Sequence, residues 1–191
     1  MILEPFFTST AVVAIGEIGD KTQLLAMVLA VRFRKPLPII AGILGATILN
    51  HTLAATLGYY IAGFFSGLGF RLAVGAAFLA MAAWTLIPDK ADDDAAARTR
   101  GGVFLTTLIS FFLVEIGDKT QIATSLLAAR YHQIALVAAG TTLGMLIADV
   151  PAVFLGEAAT MIVPLKYVRI AAAAVFALIG VWVVLSAFGI V

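Results

Sequence analysis

A heptapeptide with three charged residues occurs twice in a chain that is otherwise strongly apolar. The sequence Glu-Ile-Gly-Asp-Lys-Thr-Gln occupies residues 17–23 and, 98 positions later, residues 115–121. Each copy supplies two carboxylates, a hydroxyl and an amide, and oxygen ligands of this kind suit Ca²⁺, Mn²⁺ and Mg²⁺. The chain has no cysteine, which excludes disulfides, thiol nucleophiles and thiolate metal sites. The two motifs therefore predict binding of a hard divalent cation or of protons.

The predicted metal ligands are the oxygen-bearing side chains of the two motifs: Glu17, Asp20, Thr22, Gln23, Glu115, Asp118, Thr120 and Gln121. Lys21 and Lys119 are predicted to offset charge and to hold the carboxylates in place. Gly19 and Gly117 allow either close backbone approach or opening of a helix, which frees carbonyl groups. Two Glu, two Asp and two Lys sum to a charge of −2. One divalent cation or two protons would neutralise such a pocket.

The composition places these motifs inside a membrane. Of 191 residues, 62% are hydrophobic and 12% are charged, whereas a soluble domain has about 25% charged residues. So little charge cannot cover a soluble core with polar surface, and we predict an all-α integral membrane protein with a single domain over residues 1–191. Each ionisable side chain costs about 2.5–3.5 kcal/mol at the centre of a membrane helix. The six motif charges are therefore expected to face inward and to meet one another.

Six segments are apolar over enough residues to span a bilayer, which takes about 20 residues. They are residues 6–30, 38–62, 71–87, 102–128, 134–156 and 168–190. Glu17, Asp20 and Lys21 fall at positions i, i+3 and i+4, so each motif is predicted to lie on one helix face. His51 and Asp149, which the same offset relates, lie in spans 2 and 5. They are predicted to border the ion path or to make helix–helix hydrogen bonds.

The offset of 98 residues extends beyond the motifs and relates, for example, Gly42 to Gly140. We predict repeat one at residues 1–88, a cytoplasmic loop at residues 89–101 and repeat two at residues 102–191. Three spans per repeat is an odd number, so the predicted fold is six transmembrane helices as two inverted-topology three-helix repeats. Loops 1–2, 3–4 and 5–6 hold eight Lys and Arg against two on the opposite side. This asymmetry predicts that both termini lie on the non-cytoplasmic side.

The doubled Glu-x-Gly-Asp-Lys-Thr motif resembles the signature of a family of cation/proton antiporters. That family includes the Golgi manganese and calcium transporters of eukaryotes and the manganese exporters of bacteria. The resemblance covers nearly the whole chain and implies export of Mn²⁺ or Ca²⁺ from the cytoplasm in exchange for protons, at a site between spans 1 and 4. It implies metal ions as cargo and no permanently bound cofactor. The chain lacks the long N-terminal extension and central loop of eukaryotic members, which predicts a protein of the bacterial inner membrane.

Other functions remain open at this stage. In a divalent-cation channel, the same carboxylates would form a selectivity ring. In a structural protein, each motif would pair with itself, Glu17 with Lys21 and Glu115 with Lys119. An intramembrane enzyme is disfavoured, because the chain shows neither a nucleophile beside a base nor a cluster of histidines. A net charge of +1 gives no sign of nucleic-acid binding, so the predicted partners are the metal ion, protons and the lipid bilayer.

Overall fold

A computed structural model describes residues 2–65, 67–87, 102–155 and 165–190, and α-helices are the only regular secondary structure among them. The helices are α1 (Glu4–Glu17), α2 (Lys21–Phe33), α3 (Pro36–Phe64), α4 (Leu68–Thr85), α5 (Val103–Glu115), α6 (Lys119–Tyr131), α7 (Ile134–Leu155) and α8 (Leu165–Ala187). The prediction of an all-α protein is confirmed for the described residues. The predicted loop at residues 89–101 lies outside them.

Four helices are long and apolar enough to cross a membrane: α3, α4, α7 and the part of α8 from Arg169 to Ala187. α5 is a shorter apolar helix. Large apolar side chains on these helices point outward, among them Leu57 with 59% and Leu178 with 70% of its surface exposed. Such surfaces are stable in lipid and not in water. The chain is an integral membrane protein.

The predicted spans 6–30 and 102–128 are not continuous helices. The first consists of α1 and α2, which residues 18–20 separate, and the second consists of α5 and α6, which residues 116–118 separate. The expectation that each motif lies on one helix face is therefore wrong, because its Glu ends one helix and its Lys begins the next. At 1.5 Å per residue, each of these short helices is about 20 Å long, which is less than the thickness of a bilayer core.

A type II turn explains each break. Ile18 has φ −63° and ψ 114°, Gly19 has φ 81°, and the Asp20 N–H donates to the Glu17 carbonyl at 2.9 Å. This turn requires a positive φ at its third residue, where glycine is strongly preferred. Residues 115–118 repeat the geometry, with φ 75° at the glycine. The two roles predicted for the motif glycines are close backbone approach and opening of a helix. In the structure, these glycines interrupt the helix.

The two broken helix pairs pack against α3 and α7 in equivalent ways. α1 lies against α7 and α5 lies against α3. A Cβ atom on Gly140 of α7 would lie 2.4 Å from the Phe6 carbonyl oxygen, and one on Gly42 of α3 would lie 2.8 Å from that of Phe104. Only glycine permits such close backbone approach between helices. The remaining helices, α4 and α8, pack against each other. The motif carboxylates beside the two turns are buried, whereas Ile116 and Gly117 of the second turn are exposed.

Candidate functional site

Three carboxylates from the two motifs meet in the interior of the protein. Glu17, Asp20 and Asp118 each offer an oxygen, and these oxygens all lie within 4.8 Å of one another. We call these three residues the carboxylate trio, and all of them are buried. The two aspartates immediately precede the first residues of α2 and α6. The positive end of a helix dipole stabilises negative charge at that position.

The motif lysines form ion pairs that join the two repeats. Lys21 Nζ lies 2.9 Å from Asp118 Oδ1, and Lys119 Nζ lies 3.8 Å from Asp20 Oδ1. Each lysine therefore lies beside the aspartate of the other motif. Such a pair of contacts, in which each unit offers the same residue to the other, is typical of two units related by a two-fold axis. Both ion pairs run between the motifs and not within them, and the role of the lysines as counter-charges stays a prediction.

Glu115, the second motif glutamate, is not part of the carboxylate trio and is held by α3. His51 Nε2 lies 2.6 Å from Glu115 Oε1, and Asn50 Nδ2 donates to Glu115 Oε2 at 3.1 Å. His51 and Glu115 are both fully buried. Two bare acceptors would repel each other at 2.6 Å, so this contact requires a proton on one of the two atoms. Glu115 thus accepts a hydrogen bond on Oε2 and has the His51 imidazole against Oε1.

Glu17, the first motif glutamate, has different surroundings. The Thr22 hydroxyl donates to Glu17 Oε2, while Glu17 Oε1 has no hydrogen-bond partner among the described residues. Asp149 on α7 lies within electrostatic range of both Glu17 and Glu115. Both Asp149 carboxylate oxygens are buried without a hydrogen-bond partner in the described part of the chain. His51 and Asp149, which occupy equivalent positions in the repeats, therefore make the two halves of the site chemically different.

The motif glutamines stabilise the turns. Gln23 Oε1 accepts the Gly19 N–H at 2.8 Å, and Gln121 Oε1 accepts the Gly117 N–H at 2.7 Å. Gln23 Nε2 also donates to the Ala148 carbonyl at 3.0 Å, one residue before Asp149. The amide oxygens that the sequence predicts as metal ligands therefore accept hydrogen bonds from the turn glycines. Both glutamines thus stabilise the backbone next to the carboxylates.

The hydroxyl of Thr120 lies directly at the site, since it donates to Asp118 Oδ2 at 3.3 Å. Two further features do not follow from the motifs. Asn50 binds Glu115, and the signal for it is an amide next to His51 in an apolar segment. Lys119 Nζ donates to the Ile87 carbonyl at 3.3 Å, a contact for which the sequence carries no signal.

The carboxylate trio has the chemistry of a site shared by a cation and protons. Three buried carboxylates so close together repel one another unless positive charge or protons separate them. Lys21 and Lys119 supply part of that charge from the neighbouring motif. A hard divalent cation suits the oxygen donors, and protons would compete with it for the same atoms.

Comparison with known proteins gives a family match over most of the chain. Residues 5–93 and 103–190 match the family described as divalent cation/proton antiporter GDT1. The two matched segments begin 98 residues apart, which is the offset between the motifs. No solved structure matches the chain.

Three relatives illustrate the range of similarity. A protein of Vibrio cholerae named "Putative manganese exporter" is 49% identical over 173 residues, which cover 90% of this chain and 86% of that protein. GDT1-like protein 5 of Arabidopsis thaliana is 30% identical over 177 residues, which cover 73% of this chain and 77% of the relative. GDT1-like protein 4 of Oryza sativa subsp. indica is 26% identical over 169 residues, which cover 75% of this chain and 59% of the relative.

Proposed function

The chain belongs to the GDT1 family of divalent cation/proton antiporters, and on this premise we propose that it exports Mn²⁺ from the cytoplasm in exchange for protons. The name of the Vibrio cholerae relative favours Mn²⁺ as the cargo, and Ca²⁺ remains the second candidate because it takes the same oxygen ligands. The protein acts as a secondary transporter and not as an enzyme. The family match supports this class of function.

The observation that carries the proposal is the carboxylate trio, which both repeats build together. Glu17, Asp20 and Asp118 bind the cation, and Thr22 and Thr120 support them. Gln23 and Gln121 hold the turns. Lys21 and Lys119 neutralise part of the charge and keep the carboxylates in position. Lys21, which lies 2.9 Å from Asp118, fits an occluded site better than a pore for a stream of cations.

Glu115 enters the cation site in the second state of the transport cycle. In transporters with inverted repeats, alternating access rocks one repeat against the other around a shared site. If the two repeats exchange conformations, Glu115 takes the place of Glu17 beside Asp20 and Asp118. Each motif glutamate then serves the cation in one state and releases it in the other. The reciprocal Lys21–Asp118 and Lys119–Asp20 contacts support this exchange.

The proposed topology has six spans, of which α1–α2 and α5–α6 each form one. Two contacts support the placement of several helix ends on the same side of the membrane. Tyr131 at the end of α6 donates to Glu4 at 3.4 Å, and Arg71 near the start of α4 donates to the Ser186 carbonyl at 3.1 Å. The short loops at this end hold few basic residues. This end therefore faces away from the cytoplasm of a bacterial inner membrane and carries both termini.

The test is metal flux in proteoliposomes with an imposed pH gradient, with Mn²⁺ and Ca²⁺ measured separately. We expect the gradient to drive uphill accumulation of Mn²⁺, because protons and the metal use the same carboxylates. Glu17→Gln should abolish this flux. Glu4→Gln is the matched control, since Glu4 lies far along α1 from the carboxylate trio, and it should transport normally.

Two outcomes would contradict the antiport proposal. Flux that runs only down the metal gradient, whatever the pH gradient, would identify a channel. Normal exchange by Glu17→Gln would show that the carboxylate trio is not the cation site. The ratio of Mn²⁺ to Ca²⁺ flux identifies the preferred cargo.

A further inference from the structure

A second site lies at the end of the protein where α3 and α6 end and α4 begins. A cavity of about 420 Å³ opens there, and its wall includes Arg71, Arg130 and His132 together with Phe70, Val74 and Val183. The carboxylate trio forms no part of this wall. Among the described residues, the wall contains two arginines and no Asp or Glu. The wall itself is therefore cationic, and Glu4, which accepts a hydrogen bond from the wall residue Tyr131 at 3.4 Å and lies within electrostatic range of Arg130, offsets part of that charge.

Arg130 is only partly solvated and lacks a full set of acceptors. Its guanidinium carbon lies 3.8 Å from the centre of the Trp182 ring, so the ring covers one face of the group. Its Nη1 is buried and has no hydrogen-bond partner among the described residues. A buried donor without an acceptor is costly, more so when it belongs to a charged group. Arg130 also lines the cavity, so an anion bound there would lie beside a guanidinium group that is only partly solvated.

Arg71 supplies a second guanidinium at the mouth of the cavity. Its Nη2 donates to the Ser186 carbonyl at 3.1 Å and to the Ser186 hydroxyl at 3.3 Å, which fixes the group on α8 while it remains exposed. Two guanidinium groups match the oxygens of a phosphate, because each presents a planar fork of N–H donors. The charge and the donor geometry favour an anion with several oxygens, and a phosphate has enough oxygens to bind both guanidinium groups.

The rest of the wall and its surroundings are those of a membrane interface. Phe70, Val74 and Val183 contribute apolar surface to the wall of the cavity. Phe65 and Leu68, with 61% and 49% of their surfaces exposed, lie beside the opening. An apolar chain would cover these residues while its phosphate reached the arginines. Basic pockets between membrane helices bind lipid headgroups in this way.

We propose that this cavity binds the phosphate of an anionic phospholipid through Arg71 and Arg130, with an acyl chain against Phe70, Val74 and Val183. This inference does not depend on the identity of the transported cation. The lipid fills the space between α4, α6 and α8 and places its negative charge beside Arg71 and Arg130.

The test measures lipid retention by the full-length protein in detergent with native mass spectrometry. Phosphatidylglycerol is compared with phosphatidylcholine of identical acyl chains. For the unmodified protein we expect a preference of about 30-fold for phosphatidylglycerol, since each basic residue near an anionic lipid contributes roughly 1 kcal/mol. The double variant Arg71→Gln/Arg130→Gln should lose the preference. Lys166→Gln, which removes one positive charge near the opposite end of α8, should keep it.

A second variant covers the case in which the double variant does not fold. Arg71→Lys/Arg130→Lys keeps both charges and removes the planar forks, and it should lower the preference several-fold without abolishing it. An undiminished preference in either double variant would overturn the proposal. Inorganic phosphate, added at millimolar concentration, should not displace the lipid. If phosphate alone displaces it, the cavity is a site for free anions and the lipid assignment is wrong.

Discussion

The two motif glutamates have the same sequence context and different surroundings. Glu17 lies within the carboxylate trio, whereas Glu115 lies 2.6 Å from His51 and accepts a hydrogen bond from Asn50. The difference arises on α3 and α7, where the repeat places a histidine in one half and Asp149 in the other. In the described state, Glu17 lies in the carboxylate trio and its Oε1 has no hydrogen-bond partner among the described residues, whereas Oε1 of Glu115 lies against His51.

The two glutamates should therefore separate binding from exchange. We expect Glu17→Gln to weaken Mn²⁺ binding at least about tenfold, which corresponds to 1.4 kcal/mol, because it removes a charged ligand. Glu115→Gln should leave binding within about threefold and still abolish exchange, since Glu115 is needed only in the second state. Binding is measured from the loss of the aqueous Mn²⁺ signal in electron paramagnetic resonance, and exchange in proteoliposomes.

Glu4→Gln again serves as the control for loss of a carboxylate outside the site. If Glu115→Gln weakened Mn²⁺ binding as much as Glu17→Gln, both glutamates would bind the same ion at once. The proposed exchange of roles between the repeats would then be wrong.

At the scale of elements, the broken helices bring the aspartates to the site. A continuous helix would place Glu17, Asp20 and Lys21 on one face and leave the backbone closed. The type II turn instead puts Asp20 at the start of α2, with its N–H bonded to the Glu17 carbonyl at 2.9 Å. The glycine in the turn has the positive φ that other residues adopt at a cost.

The equivalent turn at residues 115–118 can be tested with Gly117→Ala, which introduces no steric clash. A Cβ atom on Gly117 would meet nothing within 4 Å, and φ is 75°, so only backbone strain opposes the substitution. An L-residue in this conformation costs about 1–2 kcal/mol. The apparent Tm should fall by roughly 2–8 °C, and exchange should slow because the strain disfavours the turn that positions Asp118.

Gly63→Ala is the matched control, since Gly63 is a helical residue of α3 with nothing within 4 Å of an added Cβ. It should leave exchange unchanged and raise stability by up to about 1 kcal/mol, because alanine favours a helix. If Gly117→Ala matched Gly63→Ala in both Tm and exchange rate, the turn would not require glycine.

The sequence predicted the residues of the site better than it predicted the elements that carry them. The doubled motif, its charge and its inward direction follow from composition and spacing alone. The helix breaks were predicted only as one of two roles for the motif glycines, because residues 6–30 and 102–128 read as continuous apolar segments and glycine occurs in intact membrane helices as well. The sequence did not predict that Lys21 pairs with Asp118, since the partner of a side chain in another helix depends on how the helices pack.

At the scale of the whole molecule, the charges of the site indicate how many protons accompany each cation. The six motif groups sum to −2. Asp149 adds one negative charge, and His51 offsets it when its imidazole carries both protons. One Mn²⁺ or two protons would then neutralise the same interior. Burial makes a state with surplus charge costly, so we expect the protein to exchange two protons for each Mn²⁺ without net charge movement.

The equilibrium Mn²⁺ gradient in proteoliposomes distinguishes this ratio from others. With two protons per Mn²⁺, one pH unit sustains a metal gradient of about 100-fold, since each proton contributes about 1.4 kcal/mol per unit. One proton per Mn²⁺ would sustain a metal gradient of only about tenfold at zero potential. Each cycle would then move one net charge, worth about 2.3 kcal/mol at 100 mV, so a potential of that size would change the gradient about 50-fold. With two protons per Mn²⁺ no net charge moves, so a potassium diffusion potential should leave the final ratio of Mn²⁺ across the membrane unchanged. A ratio that follows the potential would mean that a charged state crosses the membrane, and the electroneutral balance of the buried groups would be wrong.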